Sequence, residues 1–217
     1  MNKIIIFGFS ITSKLIIDFF NKLNNLEYEL IGIIDDDKNK YGDEYFGVKV
    51  IGDFSILPSL FKERKIDSFI LAIASYKYHQ EKQFIYHKLI SIGLAPVNCV
   101  SDSSYISSEV TIGKGNLIYP LSFFATGVCI GDNCMIDASV SVLENTMIKS
   151  NVHICSNSFI GANCLIDDNV YIGPGSTIAS GVRIGKRSII GAGSVVLKDI
   201  DENVKGFGNP FEIKNKS

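Results

Sequence analysis

The chain has 217 residues, 46% of them hydrophobic and 20% charged, and its 21 Lys and Arg against 23 Asp and Glu give a formal charge of −2. That length suits one large domain or two small ones, and the missing basic surplus argues against a protein that tracks nucleic-acid phosphates. No run approaches the roughly 18 apolar residues of a membrane span, so membrane insertion is not expected.

The greasy start, Met1 to Phe20, is interrupted by Lys14 and Asp18 and has no small-residue cleavage site after it, so it reads as a first strand and helix rather than a leader. Lys3 to Phe7 is a β-branched run fit for a buried parallel strand, and Lys14 to Lys22 sets Leu15, Ile16, Phe19 and Phe20 at helical spacing. Tyr28 to Ile34 is a second strand, followed by the acidic run Asp35 to Asp37. Phe54 to Lys65 reads as helix, Ser68 to Ala74 as a third strand, and Gln80 to Ile92 as a helix stopped by Gly93. This βαβαβα order predicts a small parallel sheet with helices on its faces.

Beyond Cys99 the grammar changes: 6 of 19 glycines but 9 of 14 phenylalanines lie before it. Every sixth residue from Ile106 to Val196 is aliphatic or aromatic (Ile106, Ile112, Ile118, Phe124, Ile130, Ile136, Val142 and onward), sixteen positions without an insertion. Four residues after each comes a small or β-branched side chain such as Val128, Cys134, Thr146 or Ser158, with Asn116 the polar exception. Gly113, Gly131, Gly161, Gly173, Gly185 and Gly191 directly follow the aliphatic residue, where a tight corner is expected to want a permissive backbone. Such a period marks a β-helix whose short strands stack coil on coil around an aliphatic column. Cys134 and Cys164 then read as interior packing residues, and the five cysteines, without CxxC spacing, as free thiols of a reducing cytoplasm. No metal site is expected.

The hexad array, the Gly191-Ala192-Gly193-Ser194-Val195-Val196 segment and the closing Gly208-Asn209-Pro210 carry a resemblance to a known family, joined by Ile6-Phe7-Gly8, Ile33-Ile34-Asp35-Asp36-Asp37 and Leu71-Ala72-Ile73-Ala74. The chain resembles the sugar acyltransferases with an N-terminal nucleotide-sugar domain, the group of bacterial nucleotide-aminosugar N-acetyltransferases and sialic-acid O-acetyltransferases. The resemblance implies a Rossmann-like α/β domain over residues 1–98 and a left-handed parallel β-helix over 99–217, with three hexads to a triangular coil. It further implies a cytoplasmic homotrimer of surface-polysaccharide biosynthesis. Acetyl-CoA would lie in the groove between neighbouring β-helices, and a nucleotide-linked amino sugar would be the acceptor.

Site residues follow from that likeness. Loops at the carboxyl ends of the parallel strands would hold the nucleotide: Gly8, Phe9 and Ser10 after the first, Asp35 and Asp36 after the second, Ala74 and Ser75 after the third. Gly8-Phe9-Ser10-Ile11-Thr12-Ser13 keeps one glycine only, which argues against NAD-type binding. Its hydroxyls would bind a phosphate or cap the helix. Corner residues Gly161, Ala162, Ala179, Gly191 and Ala192 would present backbone amides to the thioester and pantetheine, with Lys198 near the adenine.

The family places a catalytic histidine and an acidic orienter two residues after a hexad aliphatic. Counting from Val142, that pair falls on Glu144-Asn145, so the histidine is absent although the preceding Ile136-Asp137-Ala138-Ser139 keeps the pattern. The catalytic candidates are therefore Glu144, Asn145, Asp137 and His153, the last matching a family position that lines the acetyl-CoA pocket. A carboxylate base desolvated in a groove suits an ammonium acceptor better than a hydroxyl. The alternatives are a sugar O-acetyltransferase and a catalytically impaired sugar-binding trimer.

Overall fold

The computed structural model describes residues 2–22, 28–74 and 79–216, and the chain forms two compact units, Met1–Cys99 and Val100–Ser217. Unit one runs β1 (Asn2–Phe7), α1 (Ile11–Lys22), β2 (Tyr28–Ile34), β3 (Glu44–Tyr45), β4 (Val48–Gly52), α2 (Leu57–Lys62), β5 (Ser68–Leu71), α3 (His79–Ile92) and β6 (Ala95–Pro96). Its sheet has the order β3-β4-β2-β1-β5-β6 and is parallel except for the β3–β4 hairpin. Alternation along β1 covers both faces: Ile5 and Phe7 join a cluster with Leu57, Ile85 and Leu89, while Ile4 and Ile6 are buried too.

Three elements depart from the sequence reading. Expected helix 54–65 is a 3-10 turn, Phe54–Ile56, followed by the short α2, because Pro58 is tolerated only in a helix's first turn and Arg64 takes a positive φ. The third strand ends at Leu71 rather than Ala74. The β3–β4 hairpin was not anticipated, because its turn residues Phe46 and Gly47, both at positive φ, lack the usual Asn-Gly signature.

Unit two is the expected repeat. Two-residue strands recur every six residues and sort into three parallel sheets in which residue i pairs with i+18, as Met135 with His153, Ser141 with Phe159 and Met147 with Leu165. One sheet holds Met135–Ile136, His153–Ile154 and Tyr171–Ile172, the next Ser141–Val142 and Phe159–Ile160, the third Met147–Ile148 and Leu165–Ile166. The repeat begins one hexad earlier than expected, at Cys99–Val100, and ends in a hairpin of Val204–Phe207 and Glu212–Lys216. Aliphatic hexad residues such as Ile136, Ile154, Ile160 and Ile172 are fully buried in one column. The small inward position has its own ladder. Ser122 Oγ, Thr146 Oγ1 and Ser158 Oγ donate to the carbonyls of Asp137, Gly161 and Gly173, each fifteen residues on. Asn116 makes the same bond to Gly131 O and also accepts from Cys134 N, so the exception fits the rule. Cys134 and Cys164 donate likewise to Lys149 O and Ala179 O, as interior residues.

The glycine expectation is corrected. Glycines after the aliphatic residue are not the ones at positive φ; that conformation falls two residues later, at Asn133, Asn145, Asn151, Asn157, Asn163, Asn169 and Gly175. At Gly161 a Cβ would lie 2.5 Å from Ser180 N and 2.7 Å from its Cα, so coil-to-coil approach is what excludes a side chain. Gly161→Ala is therefore expected to cost roughly 1–3 kcal/mol by overpacking. Gly175→Asn places asparagine where six other corners already hold it and should stay within about 0.5 kcal/mol. Urea denaturation of both variants checks this; equal losses would show that backbone conformation, not spacing, governs the glycines.

Candidate functional site

In unit one the carboxyl ends of β1, β2 and β5 surround a cavity of about 530 Å³ lined by Gly8, Phe9, Ser10, Asp35, Asp36 and Ala74, with Lys40 among its neighbours. Six of the seven expected substrate residues thus converge; Ser75 lies outside the described residues. Gly8, at φ +106°, turns the chain where a Cβ would press on Ala72 O at 3.3 Å. The Ser10 and Ser13 hydroxyls of the loop act as helix caps. Ser13 Oγ accepts from Ser10 N and donates to Ser10 O, and Ser10 Oγ accepts from Thr12 N and donates to Ala72 O.

Asp35 organises this loop. Its carboxylate accepts from Phe9 N at 2.7 Å, Asp37 N at 2.9 Å and Lys40 Nζ at 3.1 Å. Burial works against the charge, but the two amides and the ammonium outweigh it and hold the carboxyl below the usual aspartate range. Asp36 accepts from Phe54 N through one oxygen. Phe9 stacks on Tyr45 with centroids 4.4 Å apart. Lys40 and Tyr45 were missed by the sequence reading because both lie in the unrecognised segment before and within the hairpin.

In unit two the coil geometry sorts the candidates onto two edges of the prism. Glu144 and Asn145 sit at the corner after Ser141–Val142, on the edge that also carries Gly161, Ala162, Ala179 and Lys198; the last three and Glu144 recur at coil spacing or one residue from it. Asp137, Gly191 and Ala192 lie on the preceding edge, beside the sheet that carries His153. Glu144 is exposed, so its own chain does not supply the apolar cover a carboxylate base needs. Asn145 holds the left-handed corner position with φ 56°, a structural duty shared with the other corner asparagines. The amides proposed for pantetheine are largely occupied. Gly161 N donates to Ile178 O, Ala179 N to Val196 O and Gly191 N to Gly206 O, while Ala162 N donates to Ser180 Oγ. These corners therefore offer close approach rather than open N–H donors.

Asp137 and His153 do come together. His153 Nε2 lies 3.2 Å from Asp137 Oδ2, and the imidazole is buried with the Tyr171 ring perpendicular to it, centroids 5.3 Å apart. A carboxylate only accepts, so the tautomer that satisfies this contact carries its proton on Nε2 and its lone pair on Nδ1. Cys155 Sγ stands 3.7 Å from the same Nε2, and burial pushes its thiol up to about 11, against the hydrogen bond from Tyr171. Cys155 was missed, yet it is Asp137 plus eighteen, one full coil. That arithmetic was available from the hexad period.

The Asp35 network yields a pH prediction. Its folded-state pKa lies below the unfolded one, so its contribution is complete above the ordinary aspartate value and is lost as pH falls through the folded value. Asp35→Ala should lower stability by about 1.5–3 kcal/mol at neutral pH, and the gap to the wild type should narrow in acid once the carboxyl is protonated in the folded chain. Urea denaturation at neutral and acid pH checks it; an undiminished gap in acid would show that packing, not charge, is what the carboxyl contributes.

Comparisons with known proteins agree with these features. Residues 3–84 match the PglD N-terminal domain, and residues 163–198 match the bacterial transferase hexapeptide (six repeats) family. No curated protein sequence matches. Among solved structures, a histidine-to-alanine variant of GDP-perosamine N-acetyltransferase from Caulobacter crescentus, in complex with CoA and GDP-perosamine, is 25% identical, with 99% of this chain and 98% of that one covered and a TM-score of 0.89. The acetyltransferase domain of PglB from Neisseria gonorrhoeae, in complex with acetyl coenzyme A, is 20% identical over 99% and 100% of the two chains with a TM-score of 0.87. WeeI from Acinetobacter baumannii is 24% identical over 99% and 100%, with a TM-score of 0.86. The last two speak for the fold. With the α/β unit, the three-sheet coil and these matches together, the chain is a hexapeptide-repeat protein with a PglD-type N-terminal domain, built on the left-handed β-helix acetyltransferase fold.

Proposed function

We propose that this protein is an acetyl-CoA-dependent N-acetyltransferase that acylates the amino group of a nucleotide-linked amino sugar in surface-polysaccharide biosynthesis. The observation that carries this is the end-to-end likeness to an N-acetyltransferase held with CoA and GDP-perosamine. In this reading the cavity of unit one holds the sugar nucleotide. Lys40, its ammonium shared with Asp35, and Asp36, which accepts from Phe54 N through one oxygen, both line it. The β-helix supplies the chemistry. Asp137 holds His153 in the tautomer whose Nδ1 takes a proton from the attacking ammonium, and the amine nitrogen then bonds to the thioester carbonyl carbon. The nitrogen gives up its second proton to solvent, collapse breaks the carbon–sulfur bond, and the proton held by His153 passes to the departing CoA thiolate.

Two properties accompany the reading. The sheet that separates the two candidate edges carries an exposed row of Tyr105, Phe123 and Phe159, the first two stacked at 5.3 Å. Homotrimer formation would cover that row and bring the Glu144 edge of one copy to the Asp137 edge of another. The five cysteines, none of them in a disulfide, suit a reducing cytoplasm, where acetyl-CoA is found, and among the described residues no helix is long and apolar enough to cross a membrane.

CoA release measured across a panel of nucleotide-linked amino sugars and free sugars tests the proposal. Turnover is expected with the former, and none with any acceptor would favour the sugar-binding trimer. His153→Asn should lower kcat/KM by roughly 10²–10⁴-fold and Glu144→Gln by far less. The reverse order would return the base to Glu144.

A further inference from the structure

The same imidazole carries a feature that acyl transfer does not use. Asp137 and Cys155 both face Nε2 of His153, at 3.2 Å and 3.7 Å, and the three ligand-type atoms all lie within 4.8 Å of one another. A proton relay, or a cysteine activated by histidine, uses the two ring nitrogens for two different partners. Here both partners converge on one nitrogen, which is the arrangement of a coordination sphere. Two of the edges agree in length, and the third, from oxygen to sulfur, stays within 4.8 Å. Ligands about 2.0–2.3 Å from a tetrahedral zinc ion stand about 3.3 Å apart for nitrogen and oxygen and about 3.6 Å for nitrogen and sulfur.

We propose that Asp137 Oδ2, His153 Nε2 and Cys155 Sγ form a binding site for a thiophilic divalent cation of the zinc class, with a fourth position open to water or an incoming ligand. The mixed oxygen, nitrogen and sulfur set selects against magnesium and calcium, which take oxygen ligands. Stacked coils preorganise the site. Asp137 and Cys155 are one coil apart on a single edge, His153 is on the strand that leads into Cys155, and Tyr171 in the next coil packs its ring perpendicular to the imidazole with centroids 5.3 Å apart. The Asp137 side chain is 23% exposed against 8% for His153, so the carboxylate is the side from which a cation enters.

A consequence follows that rests on the base role of His153. A metal on Nε2 displaces that proton and leaves the ring protonated on Nδ1, so the lone pair that accepts the substrate proton is gone. Zinc would thus switch off acyl transfer while binding at its own ligands.

The experiment titrates the full-length, tag-free, metal-stripped chain with cobalt(II), followed by zinc competition. The expected result is one cobalt per chain, tetrahedral visible bands and a near-ultraviolet thiolate-to-cobalt absorption that zinc abolishes. Cys155→Ser, which preserves volume, should remove the thiolate absorption and weaken zinc binding by at least about tenfold, with an unchanged circular dichroism spectrum as the control for folding. Absence of the absorption in the wild type, or its persistence in Cys155→Ser, overturns the site. If the site binds zinc by all these signatures but the loaded chain still transfers acyl groups at full rate, the site stands and the base role of His153 falls. If no metal binds and His153→Asn alone abolishes transfer, the site falls and the base role stands.

Discussion

The hydrogen-bond ladder between residue i and residue i+18 is the constraint on which the second unit depends. Each coil has strands of two residues, too short to bury a face or to saturate their own amides, so every coil borrows both from its neighbours. The inward hydroxyls, thiols and Asn116 add a second ladder of fifteen-residue span, tying the small position of one coil to the carbonyl of the next. Together they fix the axial spacing so closely that the residue after the aliphatic is glycine at six corners, where a methyl would meet the following backbone. Stability here is therefore a sum over neighbouring interfaces, and a fault in one coil is felt by the two that flank it.

The same ladder decides what the surface can do. Amides at Gly161, Ala179 and Gly191 are engaged between coils, so recognition along the edges falls to side chains and to shape. Side chains eighteen residues apart become vertical neighbours and those sixteen apart diagonal ones. That is how Asp137, His153 and Cys155 meet although no local motif joins them. Glu144, on the next edge, is left exposed in its own chain. In the first unit a different economy holds: Asp35 is consumed in shaping the loop that Phe9, Asp37 and Lys40 share, which leaves Asp36 to face outward from the same acidic run.

Much of this was legible in advance, for reasons that differ by element. Tyr28 to Ile34 is a strand with the expected ends because its apolar stretch Leu30 to Ile34, closed by the acidic run that follows, is too short to carry a helical period. The Phe46–Gly47 turn was invisible because its conformation is imposed by pairing of Tyr45 with Val48 rather than by the residues in it. The corner glycines were seen but given the wrong reason, since a sequence shows which residue lacks a side chain and not which atom would have collided with one. The residue types of Ser10 and Ser13 suit phosphate binding and capping alike; mutual hydrogen bonds, which depend on the approach of the loop to α1 and β5, make them caps.

By itself the sequence determined the period, and with it the aliphatic column, the number of coils and the break in grammar near Cys99, because burial every sixth residue is a property of composition along a line. The tertiary structure alone decided which side chains share a site. Whether a carboxylate is covered or exposed, and whether an imidazole meets one partner or two on the same nitrogen, depends on stacking distance and on side-chain direction. Both are set by contacts between residues that the period relates but does not orient.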